Sequence, residues 1–216
     1  MSVTIPSTTA GNCLIVCIDG YNSSALSQSV SGVTLGGSAG NFSQMVTNTT
    51  TLTFVAIWAD PNCAGGQTTV VISGTNLSTS SGAGGYVVVY EVSGLATASV
   101  LDQSSSATGT STAWSSGATA TTTQASEFWV GTAMIQGVVT VPGAPWITTR
   151  NSATQACAGY QIASTTGSAT FGNTQSGNFQ WSAAVVTLKS LAAAATALPP
   201  RIIHVPNPAV LRAAWY

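Results

Sequence analysis

The amino-acid sequence predicts an all-β protein: a single antiparallel β-sandwich or jelly roll with an extended C-terminal arm. Three observations carry this prediction. Short runs of β-branched and aromatic residues recur along the chain, separated by Gly, Pro, Asn and Asp turns. No segment shows an apolar repeat of helical period with end caps. Only 4% of the 216 residues are charged, whereas about 25% is ordinary, so Ser, Thr, Asn, Gln and Gly must cover the surface.

The stretch 85–95 is the strongest strand in the sequence. It follows a glycine-rich turn and runs through tyrosines and valines to Ser93-Gly94. Such a run predicts a strand that is buried on both faces. Its one carboxylate, Glu91, needs hydrogen-bond donors if it is buried. We therefore expect Glu91 to accept bonds from nearby backbone or hydroxyl groups and to hold a loop in place.

Further strands are predicted wherever the same kind of run recurs. Val33–Leu35 and Phe42–Val46 are predicted to form a hairpin around the glycines of 36–40. The segment 104–123 is almost entirely Ser, Thr, Ala and Gly, a composition that suits edge strands as well as loops. The other predicted strands lie at 13–18, 51–59, 67–73, 127–135, 146–149, 156–163, 171–172 and 180–189.

The charge balance excludes several classes of partner. The net charge is −1 and the chain has only four Lys and Arg residues, so clustered cations for nucleic acid or anionic lipid are missing. The N-terminus lacks the basic and apolar regions of a secretory signal, and no apolar run reaches the ~18 residues that span a bilayer. We expect synthesis in a cytoplasm without a signal peptide, followed by retention there or release by cell lysis. With so little charge repulsion, many copies in an assembly, or a homo-oligomer, are expected.

The composition divides the chain into three parts. Residues 1–190 are predicted to form the β-sandwich domain, 191–200 an Ala/Pro linker, and 201–216 a C-terminal anchoring arm. The arm is too apolar for a solvated tail. It can fold back on its own domain or dock on another subunit, and the long proline-containing linker favours the second. The residues expected to bind a partner are Arg201, Ile202, Ile203, His204, Val205, Val210, Leu211, Arg212, Trp215 and Tyr216.

Several of these runs resemble a known family. The matching stretches are Gly11–Cys17, Val33–Leu35, Val89–Leu95, Leu101–Gln103 and Ala183–Leu188. They resemble β-sandwich modules of actinobacterial viruses and of some secreted bacterial proteins, over roughly residues 1–190. The Arg-Ala-Ala-Trp-Tyr terminus resembles termini of small virion proteins of tailed phages, minor tail proteins especially. The resemblance implies a galactose-binding-like sandwich on a virion, and it brings no catalytic residue.

Catalytic chemistry finds little support in the residue types. The only histidine, His204, lies in the arm, where a triad would need the arm to fold over the sandwich. Glu91 and Glu127 on adjacent strands are the possible carboxylate pair of a glycosidase, but each is better explained as a structural acid. We expect no enzyme, cofactor or metal. The four cysteines are expected to be buried and reduced, and a bridge between Cys63 and Cys157 stays open.

Sugar binding is the main rival to a purely structural role. Trp114 and Trp146 are the candidate stacking platforms for a host surface glycan, and core packing is the alternative for both rings. The sequence thus predicts a non-enzymatic phage virion protein that binds other virion proteins through its arm. A minor tail protein is the first expectation, with a head-decoration protein and a carbohydrate-binding module as alternatives.

Overall fold

The computed structural model describes residues 1–22, 27–38, 40–77, 83–152, 155–191 and 203–204. It is all-β, with 62% strand and three antiparallel sheets. The described residues contain no helix. The strands, in chain order, are β1 (Ser2–Thr4), β2 (Cys13–Asn22), β3 (Ser29–Leu35), β4 (Ser43–Thr49), β5 (Thr53–Asp60), β6 (Thr69–Thr75), β7 (Ala83–Val92), β8 (Leu101–Ser115), β9 (Glu127–Ile135), β10 (Ile147–Ser152), β11 (Ala156–Ala163), β12 (Gly172–Lys189) and β13 (Ile203–His204).

The three sheets are stacked in layers. A middle sheet has the order β13-β7-β2-β5-β4, a second sheet has the order β10-β11-β9-β12-β8, and a small third sheet has the order β1-β6-β3. The first two pack face to face, as a sandwich does. The small sheet covers the outer face of the middle sheet. The sandwich prediction is confirmed, and the third layer is an addition that the sequence did not predict.

The central strands are buried because both of their faces meet another layer. In β2, Ile15 and Cys17 point into the core between the two large sheets, while Leu14 and Val16 point towards the small sheet. All nine residues of β9 are buried, and Trp129 points away from the core that Phe128 joins. Continuous apolar runs in the sequence therefore correspond to strands with two packed faces.

The predicted hairpin between Val33–Leu35 and Phe42–Val46 is wrong. β3 belongs to the small sheet and β4 to the middle sheet. Between them, Gly36 and Gly37 have φ values of 62° and 79°, a left-handed conformation that glycine adopts without steric cost. These two residues turn the chain out of one sheet and towards the next, so the two segments do not pair.

The outer face of the second sheet has an irregular cover. The segment 116–122 runs beside 167–171, and the amide nitrogens of Ser116, Thr119 and Thr122 donate to carbonyls of that segment. The hydroxyls of the same three residues accept from the amides of Phe171, Ala169 and Gly167, at 3.0–3.1 Å. Each of the three thus uses both its backbone and its side chain to close a reciprocal pair. We call this arrangement the hydroxyl ladder.

Candidate functional site

Strand β7 presents an open edge of the middle sheet. It pairs with β2 along one side, from Cys13 opposite Val92 to Asn22 opposite Ala83. On its other side, the only described strand that pairs with it is β13, with Ile203 opposite Glu91 and His204 opposite Tyr90. Most of this edge therefore has no strand partner among the described residues. An unpaired row of backbone groups is a template for a further strand.

Glu91 stabilises the structure next to this edge. It is 4% exposed, and its Oε1 accepts hydrogen bonds from the Thr9 amide and the Asn12 side-chain amide, both at 2.7 Å. These two bonds hold the loop before β2 against β7. The predicted role as a structural acid is confirmed.

Tyr90 anchors β7 to the opposite sheet. The ring is fully buried, and its hydroxyl is hydrogen-bonded to the hydroxyl of Thr149 on β10. It packs edge-on against Phe128 and Tyr160, with ring centroids 6.2 and 6.1 Å away. Burial raises the pKa of Tyr90 well above its ordinary value. This aromatic cluster fixes the position of the β7 edge over β10 and β11.

Two isoleucines leave an apolar surface beside the same cluster. Ile147 on β10 is 52% exposed and lies opposite Tyr160, and Ile162 on β11 is 54% exposed and lies opposite Phe128. Directly opposite residues in an antiparallel pair share a face. The two isoleucines therefore extend the aromatic cluster outward, on the flank of the sandwich where β7 has its open edge.

A buried acid and a buried base lie between the two large sheets. Asp19 is 1% exposed; its Oδ2 accepts from the Thr132 hydroxyl at 3.1 Å, and its Oδ1 has no partner among the described residues. Burial raises the pKa of Asp19 to about 7, although Arg150 and the Thr132 hydrogen bond both lower it. The Arg150 guanidinium lies 3.6 Å from the centre of the Tyr86 ring, a cation–π contact that secures this side chain.

A further pair of neighbouring ionisable groups, the carboxyl groups of Asp102 and Glu127, was not predicted from the sequence. Burial, and next a hydrogen bond with Asp102, raise the pKa of Glu127 to about 7. For Asp102, burial alone would raise the pKa, but hydrogen bonds from the Thr123 side chain and backbone outweigh this effect. The pKa of Asp102 is therefore lowered. Glu127 Oε2 also accepts from the Trp129 indole at 3.2 Å, and Lys189 lies opposite Glu127. Thr123 thus holds Asp102, and the Trp129 indole holds one oxygen of Glu127.

The glycosidase pair that the sequence offered does not form. Glu91 lies on β7, hydrogen-bonded to the loop on the outer face of the middle sheet. Glu127 begins β9 in the second sheet and contacts Trp129, which packs on the opposite outer face of the sandwich. The two carboxylates therefore do not face one cleft.

An open cleft of about 370 Å³ lies at one end of the middle and small sheets. Its polar lining consists of Ser38, Asn41, Asp60, Asn62 and Gln67. Asp60 is only 2% exposed, and its Oδ1 accepts from the Asn62 amide at 3.1 Å. Separate stretches of the chain contribute to this cleft, so no short motif in the sequence could reveal it.

The two tryptophans named as glycan platforms pack against Phe171. Trp114 is 1% exposed and donates its indole N–H to the Thr174 carbonyl at 3.0 Å. Trp146 is half-buried and donates to the Thr170 carbonyl at 3.0 Å. Their ring centroids lie 5.6 and 4.9 Å from that of Phe171. These positions favour core packing for Trp114, and glycan binding at this place stays a prediction.

The arm is described at only two of its positions. Ile203 and His204 form β13, and their strand partner is β7 of the same chain. The remaining predicted partner-binding residues lie outside the described residues: Arg201, Ile202, Val205, Val210, Leu211, Arg212, Trp215 and Tyr216.

All four cysteines are free thiols that lie buried in the structure. Cys63 packs beneath the small sheet and Cys157 on the far side of the second sheet, so the bridge that the sequence left open does not form. Burial raises the pKa of Cys63 to about 11. Burial also raises the pKa values of Cys13, Cys17 and Cys157.

Neither a metal centre nor a membrane-spanning helix is present in the described part of the chain. These residues hold no group of three or more His, Cys, Asp and Glu side chains placed to bind a metal ion. Nor do they include a helix with the length and apolar character needed to cross a membrane.

Comparison of the chain with protein-family models, with curated proteins and with solved structures finds no match.

Proposed function

We propose that this protein is a non-enzymatic structural protein of a phage particle, a minor tail protein in the first place, that joins its neighbours through residues 201–216. A head-decoration protein is the alternative location on the same particle. The phage assignment rests on the sequence resemblance. The mode of attachment rests on one structural observation, the pairing of β13 with the edge of β7.

This pairing is an instance of strand addition. In this mode, main-chain hydrogen bonds to an exposed sheet edge supply affinity, and neighbouring pockets that receive side chains supply specificity. β7 offers the edge, and the exposed Ile147 and Ile162 offer an apolar surface on the same flank. The arm supplies a strand and several apolar residues, so donor and acceptor are both encoded in one chain.

The length of the linker allows the acceptor to belong to another subunit. The Leu191 amide donates to the Gly94 carbonyl at 2.9 Å. The linker therefore starts beside Gly94, which is three residues after Glu91 in the sequence. Three residues of strand span about 10 Å. The eleven residues between Leu191 and Ile203 can extend to about 36–40 Å. The connection formed by residues 192–202 is therefore much longer than pairing within one chain requires.

The structure pairs β13 with its own β7, whereas the sequence favoured docking on another subunit. The two arrangements use the same contacts, and exchange of an identical element between copies is a low-cost route to oligomers. We propose that the arm closes the edge of its own chain in the free protein and the edge of a neighbour in the particle. The near-absence of surface charge reduces repulsion between packed copies.

Deletion of residues 199–216 tests the proposal. The truncated protein should fold, because the described contacts of the sandwich do not involve the deleted residues except at β13. When the phage genome encodes the truncated protein in place of the full-length one, the truncated protein should be missing from the assembled particles. Mass spectrometry of purified particles measures this. In the full-length chain, Ile203→Pro should reduce incorporation because proline has no N–H to donate, and Asn207→Ala is the control. Normal incorporation of the truncated chain would refute the arm as the anchor.

A further inference from the structure

The cleft at the end of β5 contains a buried carboxylate without a cation. Asp60 is only 2% exposed. Its Oδ1 accepts one hydrogen bond, from the Asn62 backbone amide. Of the two described side-chain cations, Arg150 lies against Tyr86 and Lys189 lies opposite Glu127. A carboxylate can accept several hydrogen bonds, so Asp60 has the capacity to accept from a ligand in the cleft.

Asp60 Oδ2 borders an open space beside Gly40. A Cβ atom on Gly40, which lines the cleft, would lie 3.4 Å from Oδ2 and 3.2 Å from the Phe42 ring. Because residue 40 is a glycine, this space between the carboxylate and the aromatic ring stays open. The floor of the cleft is formed here by the carboxylate, and the apolar side chains of Leu35 and Ala64 also line the cleft.

Carboxamides surround this floor. Asn41 and Asn62 are exposed and Gln67 is half-buried, and the described hydrogen bonds involve none of their side-chain amides. Gln67 lies over the turn at Gly36, where a Cβ atom would collide with its Oε1. Each carboxamide carries two donors and an acceptor. The lining therefore offers hydrogen-bond donors and acceptors around one carboxylate. This arrangement suits a ligand with adjacent hydroxyl groups.

We propose that this cleft binds one unit of a neutral saccharide. Its hydroxyls donate to Asp60 Oδ2, and its oxygens accept from Asn41, Asn62 and Gln67. The volume of about 370 Å³ is within the range of about 300–1,000 Å³ for small-molecule sites. Acidic sugars and phosphates are disfavoured, since Asp60 repels a second negative charge. The site is distinct from Trp114 and Trp146, and it does not rest on the arm.

A divalent cation is the competing ligand for this carboxylate. Ca²⁺ takes six to eight oxygen ligands, usually with several carboxylates among them, and the described lining of this cleft has only one, Asp60. A single water occupies about 30 Å³, so the cleft is much larger than an ion with a few waters. The saccharide is therefore the better fit, and calcium becomes an outcome of the test.

The experiment is a titration of the ¹⁵N-labelled full-length protein, followed by NMR at the side-chain amides of Asn41, Asn62 and Gln67. The probes are D-glucose, D-galactose, D-mannose, L-rhamnose and N-acetyl-D-glucosamine, each to about 100 mM, with D-glucuronate and CaCl₂ added separately. At least one neutral sugar should give saturable shifts, and D-glucuronate should bind more weakly than D-glucose. Gly40→Ala, which fills the floor, and Asp60→Asn, which removes the charge, should each weaken binding about tenfold or more.

Gly32→Ala is the matched control, because a Cβ atom there meets nothing within 4 Å, and it should bind as the unmodified protein does. The spectra report directly whether each variant is folded, and Gly40→Ala keeps the test decisive if Asp60→Asn does not fold. The proposal is overturned if no neutral sugar shifts these amides, if Gly40→Ala binds unchanged, if D-glucuronate binds as well as the neutral sugars, or if CaCl₂ alone produces the shifts.

Discussion

The two outer faces of the sandwich are covered in different ways. The middle sheet is covered by the regular β1-β6-β3 sheet, with aliphatic contacts from residues such as Val33, Leu35 and Ile72. The second sheet is covered by irregular chain, in which the hydroxyl ladder and a group of large aromatic rings do this work. A regular sheet satisfies its backbone through its own pairing. An irregular cover needs side-chain hydroxyls to bond its backbone amides. It also needs aromatic rings to fill the space over the sheet.

A substitution in the aromatic cover of the second sheet should give the largest loss of stability. Phe171 is 1% exposed and lies edge-on to both Trp114 and Trp146, and Gly131 beneath it leaves room for its ring. Phe171→Ala should lower the free energy of unfolding by about 3–5 kcal/mol, measured by urea unfolding.

Phe54→Ala is the matched change under the regular cover, where Phe54 is 2% exposed. It should cost less than Phe171→Ala, because Phe171 also loses two edge-to-face aromatic contacts, each of about 0.5–1.5 kcal/mol. Equal losses, or a larger loss for Phe54→Ala, would show that the two covers rely on the same kind of packing.

The layer between the two covers differs from both because it holds charged groups, and stability should therefore depend on pH. Burial raises the pKa of Asp19 from the ordinary value of 3.8 to about 7 in the folded protein. Between these values the folded state binds more protons than the unfolded state, so stability falls as pH rises from about 4 to 7. The loss attributable to Asp19 is of the order of 2–4 kcal/mol.

Urea unfolding between pH 4 and pH 8 measures this dependence. Asp19→Asn should flatten the curve, while Glu127→Gln, which removes a second group with a raised pKa, should flatten it by a separate contribution. A native protein whose stability is constant or rises over this range would contradict the stated direction.

The hydroxyl ladder should give a smaller effect. Thr119 Oγ1 accepts from the Ala169 amide at 3.0 Å and donates to the Ala120 carbonyl at 2.8 Å. Thr119→Ala leaves the Ala169 amide without its partner, which should cost about 1–3 kcal/mol of unfolding free energy. Thr121→Ala, at an exposed neighbouring position, should stay within about 0.5 kcal/mol. If the two changes have the same effect, the hydroxyls do not hold the cover.

Much of the regular structure could be predicted from the sequence, because β-branched and aromatic runs reflect burial directly. β11 (Ala156–Ala163) has the predicted bounds, and β2 contains the strand predicted at 13–18. The predicted hairpin is wrong because the residue pattern of Val33–Leu35 indicates a strand but does not indicate which sheet that strand joins. The turn at Gly36 and Gly37 decides that point, and its direction has no signature in residue type.

The candidate sites were harder to predict for a related reason. Asp60, Asn41 and Gln67 are separated along the chain and meet only because β3, β5 and β6 have ends near one another. The hydroxyl ladder does have a signal, since Ser116, Thr119 and Thr122 recur at every third position. That signal is hidden in a segment where most residues are Ser, Thr, Ala or Gly. Glu91 was predictable because it is the one acid in an apolar strand.

The edge of β7 has a third kind of cover, a strand supplied by the arm, and amide hydrogen exchange tests it most directly. Exchange of the peptides covering β7 should be compared between the full-length protein and the chain that lacks residues 199–216. We expect amides near Tyr90 and Glu91 to exchange faster after the deletion, because they lose the pairing with Ile203 and His204. Amides of β2, which are buried in the middle of the sheet, should be unchanged. Identical exchange of β7 in the two proteins would contradict attachment by strand addition.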